Sequence, residues 1–295
     1  MSEDPSSHSN FVVLNRGDAE RERLNQMFEF YKTFHNRNLI VDPAYSTQQQ
    51  EQASTSRQVS GLILIESLGA WVLSLAKELP PTTKLYAVDL APTLWPSHDV
   101  PPNVHYTVSS VTSLPKDWSS KFDLVNQSLL GSSLKASDWP LDVAELYRVT
   151  KPGGNLQLVD VTGLPVYPKP PEGTAARAVW EFWSGLKKKA GYLESVPCEV
   201  PSMLENVGFC DVRVQIKAAP KLGRRFGGEE GVEALEIAKK SLVAMKEVVL
   251  LNDGFGIVKD EKDFDELVEK FETEPEEMVA ATGLEFCFIC AKKPA

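Results

Sequence analysis

The chain has 295 residues, 42% of them apolar and 9% aromatic, enough to bury one large core or a domain with an appended cap. Its net charge of -10 argues against nonspecific nucleic-acid binding or an anionic membrane surface, each of which needs a basic patch. No secretory signal or long apolar span is read, so the expectation is a cytoplasmic protein in a reducing compartment.

Residues 1–17 read as a disordered tail. A helix follows from Asp18, with Glu20 and Glu22 in its first turn and Leu24, Phe28, Tyr31, Phe34 and His35 near one face. That face packs on the domain behind it, or lids a ligand pocket that Tyr31 or His35 reaches; residues 18–45 are taken as this lid segment. Residues 46–60, with Gln48, Gln49 and Gln50, show no apolar period and read as a linker. The main α/β domain spans 61–295.

It opens with the apolar run after Gly61, a strand buried on both faces as in a parallel sheet. Ala70 to Leu79 has helical spacing and is stopped by Pro80 and Pro81. A second strand, Leu85 to Leu90, carries Asp89 about twenty residues after the turn, the layout of a nucleotide-binding βαβ unit whose acid meets ribose hydroxyls. Such a turn calls for several glycines, and only Gly69 is present; Ile63, Ile65 and Ser67 occupy the neighbouring positions.

A proline-rich loop with Trp95 and His98 leads to a third strand, Asn103 to Val108, closed by Ser109 and Ser110. A strand within Lys121 to Leu130 places Asn126, Gln127 and Ser128 at its carboxyl end, where open α/β sheets bind ligands. A helix over Asp138 to Val149, the Lys151–Gly154 turn and a buried strand, Asn155 to Val161, carrying Asp160 complete an alternation that specifies a doubly wound, mostly parallel sheet.

Cap helices are expected around 174–192 and 230–282. Tyr167 lies in the proline-rich stretch before the first, which bears Trp180, Phe182 and Trp183. These aromatics are core residues at helical spacing or, with Phe28, Tyr167 and Asp160, walls of a pocket. Pro201 to Gly208 reads as a short helix, Phe209 to Ile216 as a strand, and 218–228 as a loop whose Arg224 and Arg225 face solvent or an anion. The last strand, Leu284 to Ala291, contains Cys287 and Cys290. Residues three apart on a strand face opposite ways, so core packing is expected there and no metal.

Four blocks carry a family resemblance: Gly69-Ala-Trp71, Tyr86-Ala-Val-Asp-Leu-Ala-Pro92, Phe122-Asp-Leu-Val-Asn-Gln-Ser-Leu-Leu-Gly131 and Leu146-Tyr-Arg-Val-Thr-Lys-Pro-Gly-Gly-Asn-Leu-Gln-Leu-Val-Asp-Val161. With them the chain resembles class I S-adenosylmethionine-dependent methyltransferases, in the branch common in fungal secondary metabolism that includes LaeA-like regulators. The resemblance implies a Rossmann-like fold, Gly69 as the last glycine of the cofactor loop and Asp89 as the ribose acid. It places Ser109 or Ser110 where the family has an acid facing adenine, and Glu66, Ser67 and Gly69 in the loop. Ile63 and Ile65 depart from the family's acid and glycine, so the expectation favours no cofactor.

Three readings follow. The first is a cofactor-independent cyclase or pericyclase shaping an apolar small molecule, with Gln127, Asn126, His35 and Tyr31 as polarising groups. The second is a genuine S-adenosylmethionine-dependent O- or N-methyltransferase, with Glu66 standing in for the missing acid. The third is a non-catalytic LaeA-like subunit. A homodimer is left open.

Overall fold

The computed structural model describes residues 18–33, 39–40, 60–64, 70–90, 92, 95–96, 99–162, 169–280 and 285–295. Seven strands, β1 (Ser60–Leu64), β2 (Lys84–Asp89), β3 (Val104–Val108), β4 (Phe122–Ser128), β5 (Thr150–Val161), β6 (Cys210–Ala218) and β7 (Glu285–Lys292), form one sheet. Their order is β3-β2-β1-β4-β5-β7-β6. β1 to β5 are parallel, and β7 runs antiparallel between β5 and β6. The doubly wound α/β sheet expected from the alternation is therefore present. Central positions such as Leu85, Ala87, Val88, Leu124 and Val125 are buried, as strands covered on both faces must be.

Parallel neighbours need crossovers. Helix α1 (Asp18–Thr33) precedes the sheet, α2 (Ala70–Glu78) joins β1 to β2, and α3 (Trp139–Val149) joins β4 to β5. Between β5 and β7 come α4 (Ala175–Ala190), α5 (Val196–Val207), α6 (Arg224–Ala244), α7 (Lys246–Leu251), α8 (Glu261–Thr273) and α9 (Glu276–Val279), with β6 after α5. The helices divide into two layers. On one face α1, α2, α4 and α6 to α9 cover a core containing Phe28, Trp71, Leu75, Phe182, Phe264, Phe271 and Phe286. On the other, α3 and α5 cover Phe122, Val143, Leu146, Leu158, Val200 and Ile289. Among the described residues no helix is long and apolar enough to cross a membrane.

Several boundaries differ from the sequence reading, each for a local reason. α5 begins at Val196 instead of Pro201, because Pro197 fills a favoured first-turn slot, so Pro201 lies inside the helix instead of opening it. The Lys151–Gly154 turn lies inside β5: Phe122 pairs with Thr150 and Leu124 with Asn155, so the extra residues bulge out of register. Gly153, at φ 75°, supplies the left-handed residue of that bulge. The stretch read as a loop over 218–228 turns helical at Arg224. Both arginines remain solvent-exposed, as expected, while Arg224 pairs with Glu229 and Arg225 with Glu277. The long helix read over 230–251 is α6 and α7, which meet at Met245.

Helix α4 is anchored at its start by acid and hydroxyl caps. Thr174 Oγ1 accepts from Arg177 N at 3.0 Å, and the two oxygens of Glu274 accept from Ala175 N and Ala176 N at 2.9 Å each. A carboxylate at a helix N-terminus satisfies orphan N–H groups and meets the positive end of the dipole. Lys270 Nζ donates to Gly173 O at 2.7 Å, so the end of α8 holds the start of α4.

Candidate functional site

The carboxyl ends of β1, β2 and β4 converge where strand order reverses, the crevice that open α/β sheets use for ligands. Leu64, the last residue of β1, pairs with Val88 on one side and Gln127 on the other. Asp89 follows Val88 directly and is half-buried; its carbonyl accepts from Ser109 N at 3.1 Å. Ser109 Oγ donates to Ser113 O at 2.9 Å, and Ser110 Oγ lies 2.8 Å from Thr112 Oγ1. Both hydroxyls thus brace their own turn. On β3, Tyr106 pairs with Ala87 and its ring lies 4.9 Å from that of Trp95. The Tyr106 hydroxyl and the Trp95 Nε1 are buried with no hydrogen-bond partner. Burial pushes the Tyr106 hydroxyl up to about 12, so it stays a donor.

On the sheet face covered by α1, α2 and α4 lies a buried polar group. Asn126 and Gln157 are partners in the β4–β5 register, so their side chains share a face. Gln157 Nε2 donates to Asn126 Oδ1 at 2.8 Å and to Leu39 O at 3.1 Å; Asn126 Nδ2 donates to Ser128 Oγ at 3.1 Å. Phe28, Leu39, Trp71 and Val159 belong to the core on this face, and Trp183 packs against it. Trp180 has Lys169 Nζ 4.7 Å from its ring centroid and Arg177 at 5.7 Å, with its own Nε1 unpartnered.

The nominated residues separate between the two faces of the sheet. Gln127 is adjacent to Asn126 in sequence and therefore points the other way, where its Nε2 donates to Asp142 Oδ2 of α3 at 2.9 Å. Asp160 also lies away from this polar group: Oδ2 accepts from Gly131 N and Oδ1 from Val161 N, each at 2.8 Å. Burial pushes both Asp142 and Asp160 up to about 7, outweighing those hydrogen bonds. A methyl group on Gly131 would come within 2.7 Å of Asp160 Oδ1, so this glycine is needed for the turn to close on the carboxyl. Cys287, paired with Asp160 in the sheet, has its thiol pushed up by burial and by that neighbour.

The Tyr31 side chain, His35, Tyr167, Glu66, Ser67 and Gly69 lie outside the described residues, as does the side chain of Ile63. Gln157, the Leu39 carbonyl and the Trp95–Tyr106 pair were not nominated from sequence. The signal for Gln157 was an amide between Leu156 and Leu158 in a mostly apolar strand, but its link to Asn126 depends on register across two strands.

Among the described residues the polar groups near these strand ends are the buried amides of Asn126 and Gln157, the Ser128 hydroxyl and the half-buried carboxyl of Asp89. Groups of this kind can orient a ligand through hydrogen bonds. No protein-family model matches the chain. The N-methyltransferase verN of Clonostachys rogersoniana is 33% identical over 94 residues, 31% of this chain and 33% of verN. The methyltransferase pytC of Aspergillus terreus is 24% identical over 269 residues, covering 84% of this chain and 77% of pytC. The chain resembles fungal methyltransferases. With verN the likeness takes in a third of the relative's length; with pytC it takes in about three-quarters. Among solved structures, a Haemonchus contortus phosphoethanolamine N-methyltransferase covers 96% of this chain and 61% of its own, at 15% identity and a TM-score of 0.48.

Proposed function

We propose that the chain is an S-adenosylmethionine-dependent methyltransferase acting on an apolar small molecule of fungal secondary metabolism. The position of Asp89 carries this reading: a half-buried carboxyl at the end of β2, one residue past the partner of β1's last residue, suits two ribose hydroxyls. The orphaned donors of Tyr106, whose register partner Ala87 lies two residues before Asp89, and of Trp95 stacked on it are chemically apt for purine nitrogens. The cofactor, when bound, supplies an electrophilic methyl group. The chain's own residues bind, orient and exclude water: Asn126 and Gln157 present a fixed amide floor, and the α1 and α4 faces close over it. Holding acceptor and methyl donor in line is the largest contribution such a neutral site can make.

A second reading is favoured by one observation, the Ile63, Ile65 and Ser67 stretch where a cofactor loop calls for an acid and glycines. Under it the same floor and walls fold an apolar chain for cyclisation without a cofactor. Labelled S-adenosylmethionine offered with apolar amines and alcohols separates the two. Label transferred by the native chain and reduced at least tenfold in Asp89→Ala supports methyl transfer. Turnover of a cyclising substrate at the same rate with and without the cofactor supports the second reading.

A further inference from the structure

Gln127 and Asp142 leave two buried acceptors facing one problem. Gln127 Nε2 donates to Asp142 Oδ2 at 2.9 Å, while Gln127 Oε1 and Asp142 Oδ1 have no hydrogen-bond partner. Both residues are sealed, at 2% and 0% exposure. An amide oxygen and an ionised carboxylate can only accept, and turning the amide over would set oxygen against oxygen. A single proton on the carboxyl turns it into a donor and resolves both atoms. The surroundings favour that proton. Glu145, one turn along α3, adds negative charge, and is itself held by Arg148 and Leu114 N; β4 faces Asp142 with the neutral Gln127, and the core into which α3 packs is apolar. Asp160 makes the contrast. It has backbone N–H donors from Gly131 and Val161 at 2.8 Å and the positive field of Lys187, which oppose the burial that raises its carboxyl. Asp142 has one donor and no cation.

We propose that Asp142 is a neutral carboxylic acid in the folded protein and donates its Oδ1 hydrogen to Gln127 Oε1, closing a two-bond acid–amide ring that fastens β4 to α3. The proton is taken from solvent on folding and returned on unfolding above the ordinary carboxylate range. Its raised affinity for the proton follows from burial. The ring lies directly beneath the strand ends of the site, because Gln127 is the register partner of Leu64 and the neighbour of Asn126. It does not depend on which ligand that site takes. Ionisation would restore two unsatisfied acceptors and set Asp142 against Glu145, so the latch opens as pH rises.

Infrared difference spectroscopy of protein carrying isotopically labelled aspartate tests this at about pH 6, between the ordinary carboxylate range and neutrality. The expected result is carboxylic-acid absorption in the native protein, Asp160 contributing to it, of which one component is lost in Asp142→Asn, where an amide pair keeps the ring without a proton. The urea midpoint of Asp142→Asn should also fall less with rising pH than that of the native chain. If Asp142→Asn does not fold, Gln127→Leu serves: the acid band should shift in frequency once its partner is gone. A native spectrum with no acid band, or acid absorption of which neither substitution removes or shifts any component, overturns the proposal.

Discussion

Gln157 Nε2 donates to Asn126 Oδ1 at 2.8 Å and to the Leu39 carbonyl at 3.1 Å, joining β5, β4 and the segment after α1 through one amide. Both acceptors are buried, so they depend on this donor. Gln157→Leu is expected to destabilise the fold by about 1 to 3 kcal/mol for each acceptor left unpaired. Ligand affinity should fall with it, because Asn126 loses the bond that fixes its orientation. Urea unfolding gives the first quantity, and titration with whichever ligand binds gives the second.

Glu274 ties α8 to the first turn of α4 through two amide hydrogens. Glu274→Ala should cost about 1.5 to 3 kcal/mol if both charge-assisted bonds are lost without replacement. Faster amide exchange at Ala175 and Ala176, with the sheet unaffected, would locate the loss in the lid. Glu274→Gln should fall between, since one oxygen remains as an acceptor.

Stability should decline as pH rises through the neutral range. Asp142 and Asp160 both hold their protons up to about 7 when folded, against an ordinary value of 3.8. The folded state therefore carries protons that the unfolded chain has released, and this stabilisation, whole below the unfolded range, is lost as pH approaches the folded values. Each proton contributes a slope of at most about 1.4 kcal/mol per pH unit. Glu145 acts oppositely, since Arg148 holds its carboxyl below the usual range, but its loss of stability falls under about pH 4.5. Urea midpoints measured from about pH 5 to 8 check the sign. The slope should be shallower in Asp142→Asn.

The strands and helices were legible because their signals are local. The apolar run at β1, the period of α2 and the alternation through Asp160 specify a parallel sheet with little competition from other readings. The antiparallel place of β7 between β5 and β6 was not legible, since nothing within Glu285–Lys292 names its neighbours. The site divided in the same way. Asn126 stands out as a polar residue at a strand end, whereas its partner Gln157 lies 31 positions along the chain, and only register brings them together. Gln127 looked equivalent to Asn126 because both are amides at one strand end. Strand alternation sends it to the other face, and recognising which face the lid covers requires the helices to be placed. Arg224 and Arg225 are solvent-facing as read, but in a helix instead of a turn; there α9 supplies Glu276 and Glu277 as partners of Arg225 across a long sequence separation.

Cofactor binding is the claim on which the functional reading turns. Calorimetric titration with S-adenosylhomocysteine, after mass spectrometry of the denatured protein has shown what was carried through purification, addresses it directly. The account predicts saturable binding in the micromolar range, about -8 kcal/mol, weakened at least tenfold by Asp89→Ala. No heat from folded protein at millimolar ligand, with no cofactor carried through, would contradict it.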